Sequence, residues 1–141
     1  MNLLVYRPDG SYAVRPDTTL EREGREFYVP DGCAEVQVRK CIWTRIRKAG
    51  KAVGERFAPR YFDSVGEGYL IYCNGEPWTD GSSIIKDETR APQAEESALL
   101  TEALIRVSRR TSIRIGDLLM VEDSAPVTLR RGETFEYISL R

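Results

Sequence analysis

Apolar and polar positions change period repeatedly along the chain, and each change marks an element. From Val5 to Asp31, short β-prone pieces are interrupted by Arg7-Pro8-Asp9-Gly10, Arg15-Pro16-Asp17 and Glu23-Gly24 before Phe27-Tyr28-Val29. Turn residues at such close intervals predict hairpins. After the Pro30-Asp31-Gly32 turn, Val36 and Val38 alternate with polar neighbours, then Cys41, Ile42, Trp43 and Ile46 shift phase. This predicts a long strand over 35–47, bulged or buried on both faces at its centre.

Val53, Phe57, Tyr61, Phe62 and Val65 recur at helical spacing, but Pro59 delays regular helix, so a short helix is expected over 59–65. Gly66-Glu67-Gly68 reads as its stop, and Tyr69 to Cys73 as an apolar strand ending at an Asn74-Gly75 turn. Trp78 to Gln93 is polar, with a loop at Asp80-Gly81-Ser82-Ser83 and a stop at Ala91-Pro92. The best-marked helix follows: Glu95 and Glu96 in the first turn, Leu99, Leu100, Ala103, Leu104 and Val107 on one face, and Arg106, Arg109 and Arg110 at the C-terminal end. Residues 115–121 and 133–138 read as two strands joined by a loop. No repeat, linker or low-complexity tract interrupts the chain, so residues 1–141 are expected to form a single domain.

Composition removes several function classes. The 141 residues are 41% hydrophobic and 30% charged, with 21 Lys plus Arg against 22 Asp plus Glu. A formal net charge of −1 gives no global attraction to nucleic acid or anionic membrane. The absence of histidine excludes Ser-His-Asp and Cys-His catalysis, imidazole metal ligation and the usual proton shuttle near neutral pH. Cys33, Cys41 and Cys73 have no C-x-x-C spacing and are odd in number, which fits reduced thiols in a cytoplasm. No export signal is visible, and the apolar runs are too short to cross a bilayer.

Local clusters carry little further chemistry. Eight basic residues and one acid lie between Arg39 and Arg60. They read as a charged strand end and turn rather than a phosphate track, so nucleic acid is not expected as a partner. Asp80, Asp87 and Glu88 lack the oxygen spacing of a calcium loop. Cys41 lies beside Lys40 and Arg39, which can lower a thiol pKa, but strand burial opposes this and no histidine base is present.

The order of pieces resembles the fumarylacetoacetate hydrolase family. The N-terminal likeness is carried by Arg15-Pro16-Asp17-Thr18, Phe27-Tyr28-Val29-Pro30-Asp31, Arg45-Ile46-Arg47-Lys48-Ala49-Gly50-Lys51 and Glu55 to Asp63. Leu104-Ile105-Arg106-Val107-Ser108, Ile115-Gly116-Asp117-Leu118-Leu119 and Leu129-Arg130-Arg131-Gly132-Glu133 carry the C-terminal likeness. The resemblance implies a mainly β (α+β) fold, a mixed β-roll with one or two short helices, and a homodimer. It also implies lost chemistry. Arg39 and Cys41 stand where the family's E-x-E metal ligands belong, and Leu70 where its aspartate ligand belongs. The histidine dyad is gone, and strands after Tyr72 are missing. The family's T-G-T-P substrate loop reads Val121-Glu122-Asp123-Ser124.

The resemblance therefore predicts a relative without metal, cofactor or metal-dependent hydrolase activity, acting as a structural or small-ligand or protein-binding domain. The alternative is a repurposed pocket that binds or acts on a small oxo-carboxylate through Arg39, because an arginine fork can replace a metal in holding a carboxylate. The remnant pocket is assigned to Arg39, Cys41, Leu70 and Tyr72. Leu70, Tyr72 and Trp43 are expected to fill the old cleft or pack across an interface, leaving no deep polar cavity.

Overall fold

The computed structural model describes residues 1–74 and 79–141. Their strands are β1 (Asn2–Tyr6), β2 (Tyr12–Pro16), β3 (Leu20–Arg22), β4 (Glu26–Phe27), β5 (Val36–Arg45), β6 (Val65–Cys73), β7 (Ser83–Arg90), β8 (Leu118–Glu122), β9 (Val127–Leu129), β10 (Thr134–Phe135) and β11 (Ile138–Leu140). A single α-helix among them, α1 (Ala94–Ser108), completes the set. The large sheet runs β2-β1-β8-β5-β6-β7-β3, with β9 also on β5, and a small sheet runs β10-β11-β4. The pairing is mixed: β1 with β8 and β3 with β7 are parallel, while β5 with β6 and β6 with β7 are antiparallel.

Chain reach curls this sheet into a roll. β2 and β3 stand at opposite ends of the order, yet only the turn Asp17–Thr19 separates them. From Pro16 to Leu20 the chain can reach about 14 Å, so the two edges must approach one another. Arg15 of β2, 1% exposed, ties that edge strand to β6 and to the start of β7. Its Nη1 donates to Ser82 O at 3.0 Å and to the Ser82 and Ser83 hydroxyls at 3.1 Å, and its Nη2 donates to Ile71 O at 3.1 Å.

Side-chain alternation then sends each strand to two cores. Leu3, Val5, Cys41, Trp43, Leu70, Leu118 and Met120 pack inside the roll. Leu4, Tyr6, Ile42, Leu119 and Val121 point the other way, against Leu100, Ala103, Leu104 and Val107 of α1. Further along the outer face, Val36, Val38, Tyr69 and Ile71 are covered by Phe27, Ile138 and Leu140 of the small sheet. Two buried faces explain the phase shift in β5 and the unbroken apolar run of β8. α1 starts with a reciprocal cap between Gln93 and Glu96. Among the described residues no helix is long and apolar enough to cross a membrane.

Some sequence expectations are corrected. The helix over 59–65 is a single 3-10 turn at Ala58–Arg60, and Val65 already begins β6. Gly66 and Gly68 lie inside that strand, beside a bulge. A Cβ at Gly66 would come 2.5 Å from Trp43 Nε1, and one at Gly68 would come 2.8 Å from Ile84 O. These glycines admit close neighbours rather than stop a helix. The polar stretch before α1 contains strand β7, whose Ser83, Ile84 and Ile85 are buried while Asp87 to Arg90 are exposed. The C-terminal loop carries β9, and the strand expected over 133–138 divides into β10 and β11. Trp78 and the Gly75 half of the predicted turn lie outside the described residues.

Candidate functional site

The inner face of β5 changes character along its length. At its far end Cys41 and Trp43 are packed in the apolar interior. Nearer its start, pairing places Gln37 opposite Tyr72 of β6 and Cys41 opposite Glu122, the last residue of β8. A cavity of about 480 Å³ opens there, lined by Gln37, Arg39, Tyr72, Glu122 and the β1–β2 turn residues Arg7, Pro8 and Asp9. An adjoining cavity of about 650 Å³ shares Arg7, Pro8, Asp9, Arg39 and Glu122 and extends to α1 at Leu99, Glu102 and Arg106.

Glu122 is the centre of this arrangement, with its side chain 0% exposed. The Tyr72 hydroxyl donates to its Oε2 at 2.5 Å. Arg39 Nη1 lies 3.4 Å from its Oε1, and that oxygen receives no hydrogen bond among the described residues. Buried carboxylates need such partners, because desolvation otherwise costs about several kcal/mol. Burial, and next Glu122 as acceptor, push the Tyr72 phenol up to about 12, while a hydrogen bond from Arg7 pulls the other way. The phenol is therefore a proton donor at neutral pH.

Three guanidinium groups surround the Tyr72 ring. Arg15 lies 4.7 Å from its centroid, Arg7 5.8 Å and Arg39 5.9 Å, all within cation–π range. Among the described residues, the negative groups that line the cavity beside them are Glu122 and Asp9. Asp9 is turned to its own loop, accepting from the Ser11 amide at 2.9 Å and the Ser11 hydroxyl at 2.6 Å. Among the lining residues Arg7 and Arg39 balance Asp9 and Glu122 in number, and with Asp9 turned to its own loop, the partly exposed Arg39 is the cation placed to meet an anionic ligand.

Of the residues assigned from sequence, Arg39 and Tyr72 line the cavity together. Arg39 pairs across the strands with Leu70, so Arg39, Cys41 and Leu70 share one face of the sheet. Cys41 and Leu70 nevertheless belong to the core beneath the opening. Burial pushes the Cys41 thiol well up, which removes it as a nucleophile. The expectation that no polar cavity would remain is corrected. Trp43 and Leu70 do fill the interior, but the β1–β2 turn walls off the polar end of the same face. Sequence reasoning missed Arg7, Arg15, Gln37 and Glu122 as site residues. Arg15 carried one usable signal, a charged residue in a piece otherwise read as β-prone.

The chain matches no protein-family model and no curated protein. Solved structures do resemble it. One is a "putative fumarylacetoacetate hydrolase family protein" from Yersinia pestis, with a TM-score of 0.72 and 14% identity over 93% of this chain and 84% of that one. Fumarylpyruvate hydrolase from Pseudomonas aeruginosa, solved with Mn2+ and pyruvate, gives 0.73 and 14% identity over 94% and 82%. An uncharacterised protein from Mycobacterium abscessus gives 0.74 and 14% identity over 86% of this chain, which spans 61% of that protein's length. The fold is that of the fumarylacetoacetate hydrolases.

On this fumarylacetoacetate hydrolase fold, the donor set does not fit a divalent cation. The three positions assigned to metal ligands carry a guanidinium, a buried thiol and an aliphatic side chain. A guanidinium repels a cation, and hard cations take oxygen ligands. Among the described residues no group of three or more His, Cys, Asp or Glu could hold a metal. The outer face of the sheet carries another polar cluster, where the Lys40 ammonium lies 2.5 Å from Glu136 and the Tyr69 hydroxyl donates to Glu136 at 2.6 Å. The cavity beside it is about 100 Å³, small for a ligand.

Proposed function

We propose that this chain is a non-catalytic domain on the fumarylacetoacetate hydrolase fold that binds a small carboxylate without metal. The observation that carries the reading is the partly exposed Arg39 at the wall of a 480 Å³ cavity, beside a Tyr72 ring that Arg7 and Arg15 also flank. Guanidinium groups hold carboxylates through paired, charge-assisted hydrogen bonds. Arg39 and Arg7 border the opening, while Arg15 lies 4.7 Å from the centre of the Tyr72 ring and adds positive field. Turnover has no evident agent: histidine is absent, Cys41 is a buried thiol, and Tyr72 holds its proton to high pH.

Thermal unfolding with a panel of small mono- and dicarboxylates tests this. A concentration-dependent rise in Tm, lost in Arg39→Ala, is the expected outcome, because a ligand that binds only the folded state stabilises it. An upward shift with magnesium or manganese that a chelator abolishes, or metal-dependent hydrolysis of acylpyruvates, would overturn the reading.

A further inference from the structure

We infer that the ligand of this cavity is a zwitterion, a small amino acid, and that Arg39 and Glu122 bind it by exchanging partners. The inference rests on reading the cavity as a carboxylate site. Glu122 is completely covered, and Arg39 lies over its Oε1. That contact is an ion pair at 3.4 Å without a hydrogen bond, on an arginine whose side chain is 29% exposed. Arg39 is thus a loosely held cation above a deeply held anion.

An incoming carboxylate attracts the Arg39 guanidinium toward the cavity, and any such movement uncovers Oε1. A ligand carrying only a carboxylate, or a carboxylate beside a 2-oxo oxygen, then leaves Glu122 with Tyr72 as its remaining close polar partner among the described residues. The oxo oxygen worsens the situation, since it accepts hydrogen bonds and so does a carboxylate. Removing one partner from a buried charge is the costly step. An α-amino acid avoids it. Its carboxylate takes Arg39 while its ammonium, one carbon away, takes the vacated place at Oε1. One ion pair on the wall becomes two between wall and ligand, and the unsatisfied oxygen gains a charge-assisted hydrogen bond. The Tyr72 hydroxyl keeps Oε2 in place throughout.

The test is a matched series in which only the C2 substituent changes: alanine, lactate, pyruvate and propionate, then glutamate, 2-hydroxyglutarate and 2-oxoglutarate, measured by titration calorimetry on the intact protein. In at least one series the amino acid should bind about tenfold or more tighter than the oxo acid, with the hydroxy acid between. Glu122→Gln leaves a carbonyl oxygen for Tyr72 but no buried charge to strand. It should weaken amino-acid binding and strengthen binding of propionate and pyruvate, an inversion that a merely structural glutamate would not produce. If Glu122→Gln does not fold, the wild-type order decides alone. Oxo acids binding as well as amino acids would overturn the inference and leave the carboxylate reading standing. No binding by any member up to about 10 mM, a Kd that would leave little specific interaction, would overturn both.

Discussion

From Cys41 to Trp43 the inner face of β5 meets Leu70, Leu118 and Met120, and every one of these side chains is at most 5% exposed. From Gln37 to Arg39 the same face meets Tyr72 and Glu122 and encloses a cavity of about 480 Å³. The two halves share strands, pairing and alternation, so the backbone does not distinguish them. Side-chain chemistry does. Apolar groups gain by closing every gap, whereas guanidinium and carboxylate groups must keep polar partners within reach. A roll that is filled at one end and charged at the other can be stable and still retain a site.

The sharpest way to break the contrast is at the filled end. Trp43→Ala should cost about 3 to 5 kcal/mol, the usual range for deleting a buried aromatic, and it also removes the bond from Trp43 Nε1 to Lys86 O at 3.2 Å. Urea denaturation would measure it, and a loss under about 1 kcal/mol would show that the interior repacks freely. Arg15→Met comes next, at about 3 kcal/mol, because it removes charge-assisted bonds to Ile71 O, Ser82 O and the Ser82 and Ser83 hydroxyls in a buried seam. Its unfolding should remain a single cooperative transition at a lower midpoint.

At the charged end the effects are smaller and more specific. Tyr72→Phe should cost about 1.5 to 3 kcal/mol, the range for a hydrogen bond to a charged group. It should also change the alkaline limb of the stability profile. Unfolded tyrosine titrates near about 10, while folded Tyr72 is pushed up to about 12. Between those values the unfolded chain binds fewer protons, so stability falls as pH rises. Tyr69 shifts in the same direction through burial and Glu136. Tyr72→Phe should therefore flatten this decline without abolishing it, as read from urea midpoints at successive pH values. Arg39→Ala should cost about 1 to 2 kcal/mol in stability, since Arg39 is itself partly solvated but its loss leaves the buried Glu122 with Tyr72 as its close partner among the described residues. Its main consequence should be the loss of carboxylate-induced thermal shifts.

The filled half of this contrast was legible in the sequence, and the charged half was not. The phase shift at Cys41-Ile42-Trp43 announced burial on both faces, and the ordered likeness to the fumarylacetoacetate hydrolases pointed to the roll. Arg39 and Tyr72 were placed together by that likeness. What misled was local ambiguity. Glycine signals either an unusual φ or the need to admit a close neighbour, and Gly66 and Gly68 serve the second purpose under Trp43 and Ile84. Lys86-Asp87-Glu88 looks like loop because one end of β7 is exposed, although its other end is buried.

Properties that depend on near neighbours in the chain were written in the residues themselves. They include α1 with its apolar stripe, the turns at Arg7-Pro8-Asp9-Gly10 and Pro30-Asp31-Gly32, and the lack of any imidazole. Properties that depend on distant residues meeting were not. The bonds of Arg15 to Ser82 span 67 positions, and that of Tyr72 to Glu122 spans 50. No period of two or 3.6 residues contains such distances. Only once β2 and β3 draw the sheet into a roll do these partners come within reach, bury Glu122 and leave Arg39 at the mouth of a cavity.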